Sequence, residues 1–253
     1  MFCDSPRNWW LECLPIAGLA DAARRWEARL LVDTSVQPLQ DLLALGAHAA
    51  ICSLSKYPSL GLTLGGLFVT NDQQLHESHE EVLQAHASTL SPDAAATIWG
   101  QAVSVRDRLT QVSRKAAAVA EFLSGHPAVT AVRFPDASAA GGLSGGQVTY
   151  HATDFQTAAQ IERIVGHNAG RQRSGLHLAC TFGSVMTTFE HFASNERKRT
   201  GIPRDATNEP ALPDDIIRIG IGCEPDGDII ADLRFAMDAA IGLTAVSQHT
   251  PPN

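Results

Sequence analysis

The chain has 253 residues, 44% of them hydrophobic and 18% charged, with a formal net charge of -8. That length suffices to bury one large core or two smaller ones, and the acidic balance excludes electrostatic capture of nucleic acid, which needs a basic patch on which phosphates release counterions. No apolar run approaches the ~18 residues of a membrane span, and the first ten residues lack the basic flank and apolar stretch of a signal peptide, so the cytoplasm is the expected location.

Taken in chain order, the pattern predicts a helix around Pro15 to Ala28 and short buried strands at Leu30 to Asp33 and Ala49 to Cys52, with a helical run from Gln37 to Gly46 between them. This is a βαβ unit. A strand at Gly66 to Thr70 follows, then helices over Asp72 to Ala87 and Pro92 to Val103, which together read as the tail of a doubly wound α/β domain. Val105, Leu109, Val112, Ala116, Val119 and Leu123 recur at helical spacing, so Val105 to Leu123 reads as the amphipathic connection into a second domain. Strands are expected at 128–133 and 147–151, separated by a loose segment from Ala137 to Gly146. A helix near Phe155 to Val165, strands at Leu176 to Cys180 and Ile216 to Ile221, a loop from Arg199 to Asp215, and a helix at Asp228 to Ile241 complete the map. There is no internal repeat.

The stretch richest in chemistry is Cys52 Ser53 Leu54 Ser55 Lys56 Tyr57, which sets a lysine between hydroxyls just past a short strand. Ligands of open α/β sheets bind outside the carboxyl ends of the strands, and Asp33 and Lys56 both fall at that edge. A lysine amine condenses with an aldehyde, a carboxylate holds a pyridinium nitrogen protonated, and Ser53 and Ser55 are suited to hydrogen-bond a phosphate: the outline of a pyridoxal phosphate site. The bland alternative is an Asp33 that caps a helix, a solvated Lys56 and two loop serines.

Resemblance along the chain decides between them. Ser5 Pro6 Arg7 Asn8 resembles an SPxNP motif, Leu31 Val32 Asp33 Thr34 Ser35 a VVDNT strand end, and Ser53 Leu54 Ser55 Lys56 Tyr57 a lysine motif of the form S(A/L)(T/S)KY. Gly65 Gly66, Ser91 Pro92, Arg108, Val119 to Leu123, and His126 to Val129 follow in the same order. Ile217 to Glu224 resembles IRLSVGIE, and Asp228 to Leu233 follows it. In their order these motifs resemble the pyridoxal phosphate enzymes of cysteine and methionine metabolism, the cystathionine γ-synthase and γ-lyase (trans-sulfuration) family, up to about Leu243.

The resemblance implies a fold-type-I, aspartate aminotransferase-like α/β architecture, with residues 1–104 as part of the large cofactor-binding domain and 105–253 as the C-terminal α+β domain. It implies pyridoxal 5'-phosphate as cofactor, with Lys56 as the catalytic lysine and Schiff base, Asp33 as pyridinium partner, Ser53 and Ser55 on the phosphate, and Arg218 on the carboxylate of an amino-acid substrate, a task suited to a planar bidentate donor. The expected chemistry is β or γ elimination or replacement on a sulfur-containing or O-substituted amino acid. Against the family pattern the chain lacks the first ~140 residues, which carry a phosphate-binding loop and a ring-stacking tyrosine, so the chain alone is expected to bind the cofactor poorly and to need that part for full activity. The expected partners are therefore further copies of the chain or a complementing subunit, the alternative being a non-catalytic subunit or truncated remnant of the family.

Smaller departures stand at Thr181 to Thr188, where the family reads SLGGVESL and this chain has neither its second glycine nor its glutamate, at Thr34 in place of asparagine, and at Trp9 in place of proline. Five cysteines without CxxC spacing read as reduced thiols. His76, His79 and His86 lie among glutamates on a predicted helix without HExxH spacing and read as a solvated face, so no metal is expected. His191 suits a structural or a catalytic role equally. Trp9 and Trp10 read equally as an exposed aromatic pair or as core.

Overall fold

The protein is described from a computed structural model, in which residues 1–38, 40–135, 143–170, 175–194 and 212–243 are described. The first sheet has the order β1 (Phe2–Asp4), β2 (Leu31–Asp33), β3 (Ala49–Ser53), β4 (Gly66–Thr70). The first three strands run parallel and β4 antiparallel to β3. Helix α1 (Ile16–Arg25) covers it, and Ile16, Ala20 and Ala23 pack with Leu30, Val32 and Leu42 in one apolar cluster. Helix α2 (Gln73–Ala85) is capped by Asp72, whose carboxylate accepts from Leu75 N at 3.1 Å. Ser91 caps α3 (Pro92–Ala102) in the same way.

The second sheet has the order β5 (Val129–Arg133), β6 (Gln147–Ala152), β9 (Ile216–Gly220), β8 (Thr187–His191), β7 (Leu176–Leu178). It is antiparallel except for the β7–β8 pair. Helices α4 (Val105–Ser124), α5 (Phe155–Gly170) and α6 (Asp226–Ala240) cover one face. Val148 and Tyr150 of β6, Phe189 of β8, and Ile217 and Ile219 of β9 form the main core with them. The period of two along β6 sends Gln147 and Thr149 to the opposite face.

Most expected elements are present with shifts of a few residues at their ends. One is not. The described residues from Gln37 to Gly46 hold turns instead of a helix. The Thr34 hydroxyl donates to Gln37 O at 2.6 Å, the Gln37 amide donates to Leu143 O at 2.7 Å, and Asp41 accepts from Ala44 N at 3.1 Å, while Gly46 ends the segment at φ 96°. Side-chain bonds of this kind compete with the helical ladder and here win. Two strands went unforeseen: β1, only three residues long, and β8, whose buried residues are nearly all polar. Residues 136–142 and 195–211, most of the expected loops at Ala137 to Gly146 and Arg199 to Asp215, lie outside the described residues.

Trp9 is buried and Trp10 partly so. Both lie against the helix-free face of the second sheet: Arg218 sits 4.5 Å from the Trp9 ring and Arg133 4.8 Å from the Trp10 ring. A contrasting surface surrounds β4, α2 and α3. Leu64, Leu67, Val69, Trp99 and Val103 are exposed there, and α2 buries no residue.

Phe189 is fully buried at the centre of the second sheet. Phe189→Ala is expected to destabilise the fold by ~3 to 5 kcal/mol through lost burial and a residual cavity, read as a lower denaturant midpoint at unchanged slope.

Candidate active site

A cavity of about 390 Å³ opens between the two sheets. Asp4, Asp33, Ser53, Lys56, Glu190 and Arg218 line it with their polar groups, and Trp9, Phe182 and Phe192 supply apolar walls. Four of the five site residues read from the sequence thus share one space. Ser55 is turned elsewhere: its hydroxyl accepts from Gly65 N at 2.9 Å and donates to Gly65 O at 3.3 Å.

The first sheet delivers Asp33 and Ser53 at the ends of neighbouring parallel strands. Asp33 accepts from Ser35 N at 2.7 Å, and the Ser35 hydroxyl accepts from Ser53 N at 2.7 Å, so the β2–β3 edge is held by its own turn. Asp4 ends β1 in register with Asp33 and accepts from Asn8 N at 2.9 Å. Beside Asp33, burial and the carboxylate's charge push the Cys52 thiol up to about 11, which keeps it protonated.

Lys56 lies in the turns after β3. Its ammonium donates to Thr181 Oγ1 at 3.0 Å and sits 4.9 Å from the centre of the Phe182 ring. Desolvation lowers its pKa, the Arg218 charge lowers it further, and Glu190 acts in the opposite direction. Tyr57, wholly buried, accepts from Gly146 N at 2.8 Å through its phenolic oxygen, and Arg108 donates to the Tyr57 carbonyl at 2.7 Å. Gly183 closes over this turn at φ 79°, where an added Cβ would stand 2.7 Å from Tyr57 N. Only glycine allows backbone to pass backbone so closely.

The second sheet delivers Arg218 and Glu190. Glu190 on β8 is directly opposite Arg218 on β9, and Thr149 on β6 is opposite Arg218 from the other side. Residues so paired point to one face. Arg218 donates to Glu190 in a buried ion pair and to Asn8 Oδ1 at 2.9 Å. The Thr149 hydroxyl donates to Trp9 O at 2.8 Å, fixing the segment whose ring covers the guanidinium. Glu190, Asp4, Trp9 and Phe182 were not expected in this role. The polar register across β8 and β9 was the signal for Glu190, but it becomes visible only once β8 is recognised as a strand.

His191 is buried away from the cavity wall, with one ring nitrogen 2.7 Å from Ser194 Oγ and the other 2.6 Å from Asp214 O. His79 stacks on Phe68 with ring centres 4.4 Å apart, joining α2 to β4.

Residues 1–238 match the model of the Cys/Met metabolism PLP-dependent enzyme family. The chain is 30% identical to the cystathionine γ-synthase of Mycobacterium leprae over 250 residues, covering 94% of this chain and 61% of that protein. It is 25% identical to the cystathionine γ-lyase of Bacillus subtilis, covering 63% of it. The crystal structure of metB from Corynebacterium glutamicum superposes with a TM-score of 0.82 at 26% identity, over 94% of this chain and 62% of that one. The chain therefore spans less than two thirds of the length of these relatives.

The neutral amine of Lys56 is favoured by burial and by Arg218, so its fraction at a given pH exceeds that of an exposed lysine. Amine labelling followed over pH, with each site read by mass spectrometry, is expected to show Lys56 titrating below the ordinary lysine range. A Lys56 profile that coincides with the surface lysines would count against this. On the match over residues 1–238 and the shared fold, this chain belongs to the Cys/Met metabolism PLP-dependent enzyme family.

Proposed function

We propose that this chain carries the lysine-bearing part of a pyridoxal phosphate site and that the assembled protein catalyses β or γ elimination or replacement on sulfur-containing or O-substituted amino acids. The observation that carries the reading is the convergence of Lys56, Asp33, Ser53 and Arg218 on one cavity. The donor set fits the cofactor. An amine of lowered proton affinity, a carboxylate at a strand end, a hydroxyl one strand away and a buried guanidinium match its aldehyde, ring nitrogen, phosphate and substrate carboxylate in turn. The family match and the relatives named as cystathionine γ-synthase and γ-lyase support the reaction class.

When bound, pyridoxal phosphate supplies an electrophilic aldehyde and a ring that accepts the electron pair left behind when a substrate loses its α-proton. The protein's residues do the rest. Lys56 Nζ, its proton affinity lowered by burial, would hold the aldehyde end and would move the proton at the substrate's α-carbon. Asp33 would hold the ring nitrogen in its protonated form. Ser53 would donate to the phosphate, and Ser55 could join it only by giving up Gly65. Arg218 binds the substrate's α-carboxylate, with Trp9 and Phe182 keeping water from its faces. On this reading the chain divides at about residue 105, where α4 links the cofactor-binding part to the part that supplies Arg218.

Association belongs to the same reading. The exposed apolar residues of β4, α2 and α3 form the kind of surface that soluble proteins cover, and we assign it to contact with further copies or a complementing subunit. In sedimentation, the double variant Leu67→Ser, Trp99→Ser is expected to shift the protein to smaller species. An unchanged distribution would remove this face from the assembly.

The central test is spectroscopic. Mixed with pyridoxal phosphate, the protein is expected to develop a visible absorption band that Lys56→Ala lacks, and borohydride reduction should fix the adduct on Lys56. Adducts spread evenly over the lysines, in both proteins alike, would sink the proposal.

A further inference from the structure

Arg218 is held in place three times over. Asn8 Oδ1 accepts from one terminal nitrogen at 2.9 Å, Glu190 from the other, and the Trp9 ring covers the guanidinium at 4.5 Å. The Asn8 contact and the aromatic face are sufficient to fix the plane and direction of the group, and β9 fixes its origin. What Glu190 alone adds is charge. It stands across the strand pair from Arg218, is 5% exposed, and lines the same cavity as Lys56.

A carboxylate arriving at Arg218 therefore meets an anion already bound there. In a cavity wall of low dielectric, two carboxylates on one guanidinium repel strongly, and each weakens the other's hold. The second cation on the cavity is Lys56, and the Glu190 charge already bears on its amine. An anion displaced from Arg218 thus keeps a cationic neighbour.

We propose that Glu190 is a resident competitor for Arg218, holding the guanidinium in the unliganded protein and yielding it to an incoming carboxylate, so that Glu190 sets how tightly the site grips an amino-acid head group. The inference rests on the proposed role of Arg218 as the carboxylate receptor and adds a residue that tunes it. Glu190 is a specificity-determining residue on this account because its carboxylate penalises ligands that bring negative charge without compensation.

The test needs no cofactor. The Arg218 Nε–H resonance, assigned by its loss in Arg218→Lys, is followed by NMR during titration with propionate and with L-alanine at constant ionic strength. Glu190→Gln keeps the shape and a hydrogen-bond acceptor while removing the charge, and it is expected to tighten propionate binding about tenfold, equivalent to ~1.4 kcal/mol. Glu190→Asp keeps the charge on a shorter arm, loosening its hold on Arg218, and should bind propionate up to about threefold more tightly than the parent. It serves as the second reading if Glu190→Gln folds poorly, in which case tightening in Glu190→Asp supports the proposal and weakening overturns it. If Glu190 only positions Arg218, Glu190→Gln weakens binding and Glu190→Asp restores it, and the competitor role is excluded. Unchanged affinity, or no response of Arg218 to either ligand in any variant, also overturns it. A protein that titrates as expected but forms no Lys56-dependent band would leave the competitor standing and remove the cofactor reading.

Discussion

One turn, Lys56–Tyr57, is gripped by segments later in the chain, and the site exists only because that grip holds. The Tyr57 phenolic oxygen accepts from Gly146, Arg108 donates to the Tyr57 carbonyl, Thr181 takes the Lys56 ammonium, and Gly183 passes over the Tyr57 amide. None of these bonds lies within the first sheet. Lys56 would otherwise belong to a loop free to move at the end of a short strand. Here its direction is set by residues about 50 to 130 positions later in the chain. Loosening the seam would separate Lys56 from Arg218 before it unfolded either sheet, since each sheet has its own apolar cluster.

The same seam balances charge. Asp4, Asp33 and Glu190 bring three carboxylates to the cavity, and Lys56 and Arg218 bring two cations. The charges are not mixed evenly. Asp4 and Asp33 sit side by side at the ends of β1 and β2, each bound to a backbone amide, whereas Glu190 is spent on Arg218. The strand-end edge is therefore an acidic shelf open to a cationic ring, and the second-sheet wall is a neutralised pair. A ligand with a positive ring at one end and a carboxylate at the other meets both surfaces in the right order.

How much of this the sequence disclosed follows from where each residue's constraint lies. Lys56, Asp33 and Ser53 sit beside apolar strand residues, so their place at a sheet edge was legible from a few neighbours. Arg218 was legible from its motif. The strand β8 was not, because Thr187, Thr188, Glu190 and His191 look like a polar loop, and each is buried with a partner outside the strand: Glu224, Thr181, Arg218 and Asp214 respectively. Residues 37 to 46 misled in the opposite direction. Leucines and alanines at helical spacing failed to make a helix because Thr34, Gln37 and Asp41 bonded locally or to the second half of the chain.

Trp9 shows why pairwise pattern cannot replace geometry. Its neighbours are polar or aromatic, nothing in its spacing tells core from surface, and the family it resembles has proline there. In the structure it takes φ 66°, a conformation disfavoured for a bulky residue, to lay its ring across Arg218 while its carbonyl receives the Thr149 hydroxyl. That backbone cost is sustained by contacts to the second sheet, so the entry segment and the arginine wall stabilise one another. A buried guanidinium with an aromatic lid keeps its positive charge close to the cavity and away from water, where a carboxylate ligand gains the most from it. Trp9, one of the residues that depart from the family pattern, is thus one that shapes the arginine's surroundings.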